Sequence, residues 1–211
     1  MATYKQYVIV GGGGFGREVA CWLLDLPEIQ AGHIAGFLDD EVKEGALFPP
    51  GIAYLGSIAA YQPREGHELL LGIGGTRAKR DVVSALRAKG ARFATLRHPT
   101  AVVAATARIG EGVILCPYAV VSANGVVGDF VTVNIASTVG HDVRIGAWTT
   151  LSAHVDLTGG VSVGESVNLG SGARVLPGLR VGNEATVGAG AVVMRNVEAG
   201  STVYAAAAKR L

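Results

Sequence analysis

A branched aliphatic residue recurs at every sixth position from Val103 to Val193, without a break in register. The series consists of Val103, Ile109, Leu115, Val121, Val127, Val133, Val139, Ile145, Leu151, Leu157, Val163, Leu169, Val175, Val181, Val187 and Val193. Because a unit this short can bury its apolar side chain only against its neighbours, the repeat predicts a solenoid.

Glycine follows the aliphatic residue at intervals of eighteen residues, so three hexads form one larger repeat. The five pairs are Ile109-Gly110, Val127-Gly128, Ile145-Gly146, Val163-Gly164 and Val181-Gly182. Hexads in threes predict a triangular coil of three short parallel strands, with the aliphatic side chain inside and glycine relieving the corners. The length of the series predicts about five coils of a parallel β-helix.

Composition gives no sign of a nucleic-acid or membrane partner. Only 17% of the residues are charged and the net charge is +1, so bulk charge favours neither nucleic acid nor an anionic membrane. Cys21 and Cys116 provide neither a disulfide framework nor the spacing of metal ligands, and no metal is expected. We expect a cytoplasmic protein, because the first residues lack a hydrophobic signal region and no apolar run is long enough to span a bilayer.

The first hundred residues follow a different pattern, in which strands alternate with helices. The predicted strands are residues 7–10, 34–38, 68–73 and 92–96. Apolar residues at helical spacing predict a helix after Gly16, and Thr76 is expected to cap a second helix at about residues 77–89. This order is typical of a small three-layer, Rossmann-like α/β domain with a parallel sheet, which we assign to residues 1–100. The β-helix would then occupy residues 101–211, with residues 196–211 closing its open end.

A glycine-rich loop, Gly11-x-Gly13-x-x-Gly16, joins the first strand to the first helix. Glycines there let the backbone approach a diphosphate, and the helix N-terminus offers free N–H groups. Asp39 and Asp40 follow the second strand, where a carboxylate can accept hydrogen bonds from a ribose or a base. The loop therefore predicts a nucleotide site, with a ligand-free tight turn as the alternative. A dehydrogenase is disfavoured, because the α/β part is too short for a full dinucleotide fold.

Three segments together resemble the bacterial sugar O- and N-acetyltransferases of the left-handed β-helix class. The segments are residues 8–19, Asp39-Asp40, and residues 134–142, which read Asn-Ile-Ala-Ser-Thr-Val-Gly-His-Asp. The resemblance covers almost the whole chain, and its nearest branch acetylates nucleotide-linked 4-amino-4,6-dideoxy sugars, as the bacillosamine-pathway and perosamine N-acetyltransferases do. It implies a left-handed helix, a homotrimer, a nucleotide-linked amino sugar on the N-terminal domain, and acetyl-coenzyme A between neighbouring coils. Overall resemblance slightly favours the perosamine branch.

The resemblance also implies roles for individual residues. The family's catalytic base matches His141, and its acidic partner matches Asp142. Expected contacts with the nucleotide-linked sugar are Gly13, Gly14, Phe15, Gly16, Asp39, Asp40, Gly74 and Asn134. By gap-free register from His141, the family's cofactor contacts fall on Thr150, Ser171 and Ala189, and Gly159 would lie near the thioester, where its N–H can serve an oxyanion.

The chemistry of acetyl transfer agrees with a histidine in this place. Attack of an amine on a thioester needs a base for the amine proton and a hydrogen-bond donor for the oxyanion. His141 follows the inward Val139 by two residues, at an expected corner. Because adjacent strand residues point to opposite faces, contact between His141 and Asp142 requires a bent backbone or two chains. The alternatives are a solvated corner histidine and, for Asn134, an asparagine ladder inside the coil; His154 is expected on the surface.

Two departures from the family affect these expectations. Many members have a histidine in the glycine loop, where this chain has Gly14-Phe15. Members usually end with a glycine and a proline before a basic pair, whereas this chain reads Tyr-Ala-Ala-Ala-Ala-Lys-Arg from Tyr204 to Arg210. The path of the tail, and any contact of Lys209 with the cofactor, therefore stay open.

Three functions remain possible at this point. The first is acetyl-CoA-dependent N-acetylation of GDP-perosamine or a UDP-linked analogue. The second is O-acetylation of a sugar, of the sialic acid type, and the third is a hexapeptide-repeat trimer without catalysis. All three predict a homotrimer, because a short β-helix leaves a flat face to bury.

Overall fold

The structure is a computed structural model that describes residues 5–41 and 48–206. The chain divides into two compact units, Met1–Pro99 and Thr100–Leu211. Each unit has its own architecture, an α/β sheet in the first and a β-solenoid in the second, so the predicted fold class is confirmed.

The first unit contains a three-stranded parallel sheet in the order β2-β1-β3. Strand β1 is Gln6–Val10, β2 is Ile34–Leu38 and β3 is His67–Leu71. Helix α1 (Gly14–Leu24) follows β1, α2 (Thr76–Ala88) follows β3, and a 3-10 turn (Ala31–His33) precedes β2. Parallel pairing brings the carboxyl ends of all three strands to one edge of the sheet, which is where ligands bind in folds of this type.

Two details of the first unit differ from the sequence prediction. The strand predicted at residues 92–96 shrinks to an isolated bridge between Leu69 and Phe93, followed by the short strand β4 (Leu96–Arg97). Thr76 does not cap α2 from outside, because it is already the first helical residue. The N-cap is Gly75, in extended conformation and without a side-chain hydrogen bond.

The second unit is a solenoid of two-residue strands, β5 to β21 in chain order. These strands are Val102–Val103, Arg108–Ile109, Ile114–Leu115, Val120–Val121, Val126–Val127, Thr132–Val133, Thr138–Val139, Arg144–Ile145, Thr150–Leu151, Asp156–Leu157, Ser162–Val163, Asn168–Leu169, Arg174–Val175, Arg180–Val181, Thr186–Val187, Val192–Val193 and Thr202–Val203. They stack in parallel on three faces and make about six turns, close to the five expected. The last strand pairs with Thr186–Val187 and extends the solenoid beyond the hexads.

The core of the solenoid contains two inward series rather than one. All residues of the aliphatic series are buried except Val103 and Ile109, which are partly buried. A second series lies two residues earlier in the hexad and consists mostly of alanine and valine, with Ser137 and Thr149 among them. The hydroxyl of Ser137 donates to the Ser152 carbonyl at 2.8 Å and accepts from the Val155 N–H at 3.1 Å, so its burial costs little.

From Gly112 to Gly190, the corners turn at the third residue after each aliphatic one, which adopts the left-handed conformation. Non-glycine residues at this position are Tyr118, Asn124, Phe130, Ala136, Asp142, Trp148, His154, Ser166 and Glu184. The glycines that directly follow the aliphatic residues therefore have a different role from the one expected. A Cβ at Gly128 would lie 2.8 Å from the Ala147 nitrogen, so glycine there permits the close approach of the next coil.

Candidate active site

His141 and Asp142 form a hydrogen-bonded pair within one chain. Asp142 has a φ of 60°, and this left-handed corner turns its carboxylate back towards the preceding side chain. Oδ2 of Asp142 lies 2.8 Å from Nδ1 of His141. The bent corner thus makes the contact that strand alternation alone would forbid, and no second chain is needed for it.

The carboxylate of Asp142 is also held by Asn124, a residue that no motif in the sequence indicates. Asn124 Nδ2 donates to Asp142 Oδ1 at 3.0 Å. The hydrogen bond from His141 and then that from Asn124 lower the pKa of Asp142 below its usual value, with a smaller contribution from the charge of Arg144. An ionised Asp142 favours the proton on Nδ1 of His141, which leaves a lone pair on Nε2.

The imidazole of His141 lies against Gly159, one coil further along the solenoid. A Cβ at Gly159 would overlap the ring, Nε2 included. The Gly160 N–H donates to the His141 carbonyl at 2.9 Å and fixes the two coils relative to each other. Among the described residues, the Gly159 N–H has no hydrogen-bond acceptor. The Nε2 lone pair of His141 and the N–H group of Gly159 therefore lie close together. The corner is open to solvent, because the His141 side chain is 69% exposed.

The remaining predicted β-helix residues lie elsewhere on the same chain. Ser171 and Ala189 occupy the same place in successive coils, where the Gly190 N–H donates to the Ser171 carbonyl at 2.9 Å. Asn134 is half-buried near the same edge and accepts the Ile135 N–H with its Oδ1 at 2.7 Å. Thr150 is buried in the strand that leads into this edge. This edge joins the face that contains Thr150–Leu151 to the face that contains Thr138–Val139. The His141 corner joins the Thr138–Val139 face to the third face, which contains Arg144–Ile145.

In the first unit, the glycines of the loop divide into packing glycines and open ones. A Cβ at Gly16 would collide with the Gly11 carbonyl, so Gly16 lets helix α1 pack closely on the sheet. No atom of the described residues lies within 4 Å of the position that a Cβ at Gly13 would take, and the only such atom near Gly14 is at the end of the Arg17 side chain. The free N–H groups at the start of α1 are thus accessible at Gly13 and Gly14.

Phe15 and Gly74 are less directly placed to contact a ligand than Gly13 and Gly14 are. The ring of Phe15 packs edge-on against Trp22 of its own helix, with 6.0 Å between ring centroids. Gly74 is exposed and follows Ile73, which lines the cavity described next.

A cavity of about 400 Å³ opens at the carboxyl edge of the sheet. Its lining is Gly11, Gly13, Asp39, Asp40, Glu41, Ile58, Gly72 and Ile73. Asp39 accepts the N–H of Gly12 with one oxygen and that of Glu41 with the other, at 2.8 Å for the latter. Asp40 is exposed and, among the described residues, accepts only the Ala59 N–H, at 3.3 Å. Asp39 therefore ties the glycine loop to β2, while Asp40 is freer to receive a ligand.

Comparison with known proteins places this arrangement in a family. The structure superimposes on PerB from Caulobacter crescentus, in complex with CoA and GDP-perosamine, with a TM-score of 0.84 and 32% identity over 95% of this chain and 94% of that one. The acetyltransferase domain of PglB from Neisseria gonorrhoeae, with acetyl coenzyme A, gives 0.84 and 31% over 99% and 100%. WeeI from Acinetobacter baumannii gives 0.85 and 28% over 95% and 97%. No family model and no curated protein matches the sequence significantly.

The chain belongs to the β-helix sugar acetyltransferase family. The resemblance of the three sequence segments is thereby confirmed. The Caulobacter crescentus enzyme has also been solved with a histidine replaced by asparagine or by alanine, each time in complex with CoA and GDP-perosamine.

Three remaining features are the C-terminal tail, possible metal ligands and possible membrane-spanning helices. Tyr204 follows the last strand and is exposed, whereas Lys209 lies outside the described residues. Within residues 5–41 and 48–206, no group of three or more His, Cys, Asp or Glu side chains is arranged to hold a metal ion. In the same ranges, every helix is too short or too polar to cross a membrane.

Proposed function

We propose that this protein is an acetyl-CoA-dependent N-acetyltransferase that acetylates the 4-amino group of a nucleotide-linked 4-amino-4,6-dideoxy sugar. The observation that carries the proposal is the match over 95% of the chain to PerB, which was solved with CoA and GDP-perosamine. GDP-perosamine is the substrate favoured by this match, and a UDP-linked analogue is the alternative. We also propose that the enzyme acts in the cytoplasm, as the sequence predicts.

His141 is the proposed general base. Nε2 removes a proton from the sugar amine as its nitrogen attacks the carbonyl carbon of acetyl-CoA. The carbon–sulfur bond then breaks, and the departing thiolate takes up the proton from the imidazolium. Asp142 supports this cycle because its carboxylate, 2.8 Å from Nδ1, fixes the tautomer and stabilises the charged ring.

Gly159 is the proposed oxyanion donor. Its N–H has no acceptor among the described residues and lies beside the imidazole, where the tetrahedral intermediate would form. A backbone donor aimed at the developing charge typically contributes about 3 kcal/mol to transition-state stabilisation.

The distribution of residues over two edges of the coil supports a homotrimer. His141 and Gly159 occupy one edge of the triangular coil, and Ser171 and Ala189 occupy another. One chain alone does not bring these two groups together around one acetyl-CoA. In a cyclic trimer, the His141 edge of one subunit faces the second edge of its neighbour, and the cofactor lies between them with Asn134 and Thr150 nearby.

The nucleotide is proposed to bind at the carboxyl edge of the sheet in the first unit. The open backbone at Gly13 and Gly14 suits the diphosphate, because it lies at the N-terminus of α1. Asp40 has the freedom to accept hydrogen bonds from the ribose or the base. Gly16 and Asp39 support the site by shaping the loop.

Product analysis tests this function. Purified protein is incubated with acetyl-CoA and either GDP-perosamine or UDP-linked 4-amino sugars, and the product is analysed by mass spectrometry before and after mild alkali. A product that gains one acetyl group and keeps it in alkali is an amide, as proposed. A product that loses the group in alkali is an ester and would establish O-acetylation instead. Light scattering at micromolar concentration tests the trimer, which a monomeric mass would exclude.

A further inference from the structure

We propose that Asn124 is a positioning residue of the active site, which orients the carboxylate of Asp142 towards His141. The inference rests on the proposed function, since it assigns Asn124 a role in the reactivity of the His141 base. Asn124 lies eighteen residues before Asp142 and therefore occupies the same corner one coil earlier.

The hydrogen bonds of this corner form a continuous chain across three coils. Thr106 Oγ1 accepts the Asn124 backbone N–H at 2.9 Å, which anchors the asparagine. Asn124 Nδ2 then donates to Asp142 Oδ1 at 3.0 Å, and Asp142 Oδ2 lies 2.8 Å from His141 Nδ1. Each carboxylate oxygen thus has a partner of its own, one from the neighbouring residue and one from the preceding coil.

The carboxylate needs such a second support because solvent surrounds it. The Asp142 side chain is 57% exposed, so burial does not restrict its rotation. With only the imidazole as partner, an exposed carboxylate rotates between alternative arrangements and shares its oxygens with water. The amide of Asn124 selects the one rotation that leaves Oδ2 facing Nδ1.

A simpler explanation for Asn124 is its backbone conformation, since asparagine tolerates the left-handed region better than most residues. The same corner position elsewhere carries Tyr118, Ser166 and Glu184, so this backbone does not require asparagine. The conformation also does not dictate where the side-chain amide points. Its donation to Asp142 is therefore a separate property, and it is the one that bears on catalysis.

Charge explains why an amide is suited to this place. Among the described residues, the titratable groups facing Asp142 are His141 and Arg144, and the next coil contributes Gly159 and Gly160, which do not titrate. Asn124 donates a hydrogen bond without adding charge. A carboxylate in its place would bring a second negative charge next to Asp142 and favour the protonated imidazole, which cannot act as a base.

The test compares Asn124→Gly, Asn124→Asp and the control Glu184→Gly by steady-state kinetics over a range of pH. The control removes a side chain from a left-handed corner on another edge of the coil. Asn124→Gly is expected to lower kcat roughly tenfold without changing KM. This loss is a part of the 10²- to 10⁴-fold rate enhancement that a positioned base typically supplies. Asn124→Asp is expected to move the acidic limb of the kcat profile to higher pH by about one unit. Glu184→Gly should behave as wild type.

Two outcomes separate this role from the proposed function. If both Asn124 variants fold and keep the wild-type kcat and pH profile, while His141→Asn is inactive, the positioning role is wrong and the function stands. If His141→Asn keeps full activity, the base itself is wrong. Because aspartate also tolerates the left-handed region, Asn124→Asp remains informative even if Asn124→Gly is unstable.

Discussion

The imidazole of His141 occupies the space that a side chain at Gly159 would fill, one coil further along the solenoid. This relationship explains why glycine is needed at residue 159 independently of any hydrogen bond. It also brings a backbone donor next to the proposed base. Residue 159 can therefore be tested for two separate properties, its lack of a side chain and its N–H group.

Gly159→Ala keeps the N–H group and adds a Cβ that overlaps the ring. We expect kcat to fall at least tenfold, because the imidazole must move away from its position against the next coil, and small misplacements of a base are costly. Gly159→Pro removes the donor as well and should lower turnover further. Gly32→Ala is the matched control, since nothing lies within 4 Å of its new Cβ. Wild-type turnover in a folded Gly159→Ala enzyme would contradict the arrangement of His141.

Asp142→Asn should lower kcat by about a hundredfold, within the range attributed to general base catalysis. The neutral amide no longer stabilises the imidazolium and allows the wrong tautomer of His141. Because the hydrogen bonds from His141 and Asn124 lower the pKa of Asp142, its carboxylate stays ionised at lower pH than that of a free aspartate. The benefit of the charge is thus present above the lowered pKa and is lost as the pH falls through it. The kcat profile of the wild type should accordingly show no Asp142 titration between about pH 5 and 9; a carboxylate step there would refute this.

Gly16→Ala should destabilise the first unit by roughly 1–3 kcal/mol, the usual cost of inserting a methyl group into a tightly packed contact. The new Cβ would collide with the Gly11 carbonyl and push helix α1 away from the sheet. The new Cβ of Gly13→Ala meets no atom of the described residues within 4 Å, so this variant should leave the stability nearly unchanged while it raises KM for the nucleotide sugar. Urea unfolding and steady-state kinetics measure the two effects. Equal stability of the two variants would show that Gly16 is not a packing residue.

Asp39→Ala and Asp40→Ala should differ in their effect on stability. Asp39→Ala leaves the N–H groups of Gly12 and Glu41 without their acceptor, so both unfolding free energy and substrate affinity should fall, the former by roughly 1–2 kcal/mol. Asp40→Ala should raise KM for the nucleotide sugar and leave unfolding almost unchanged. Two measurements on the same samples distinguish these effects: the affinity for the nucleoside diphosphate by calorimetry, and the thermal unfolding temperature. If Asp40→Ala lowered the stability and Asp39→Ala did not, the structural and ligand-binding roles of the two residues would have to be exchanged.

The sequence was sufficient to predict the solenoid because its period is carried by large aliphatic side chains. The sequence does not indicate the second inward series, because alanine, serine and threonine interrupt its valines and leave no unbroken aliphatic repeat; Ser137, for example, is a polar residue at one of its positions. Within the part of the chain that the structure describes, its hydroxyl pairs only with atoms of the next coil, such as the Ser152 carbonyl, fifteen residues away. Contacts of this kind depend on the stacking of coils and become visible only in three dimensions.

The candidate site was predictable to a similar degree. The sequence indicates His141 and Asp142 as candidates because a motif joins them, whereas Asn124 lies one full coil earlier and belongs to no motif. The eighteen-residue register contained the signal, since subtracting eighteen from 142 gives 124. Without knowledge that the corner directs side chains along the stack, however, that register did not distinguish Asn124 from any other polar corner residue.

Thiol release from acetyl-CoA, measured with a panel of uridine- and guanosine-linked 4-amino sugars for wild type and His141→Asn side by side, tests the central claim most directly. The account predicts turnover with one of these sugars by the wild type and its loss in the variant, with both proteins folded and in the same oligomeric state. Absence of thiol release with every sugar, or full activity of His141→Asn, would contradict it.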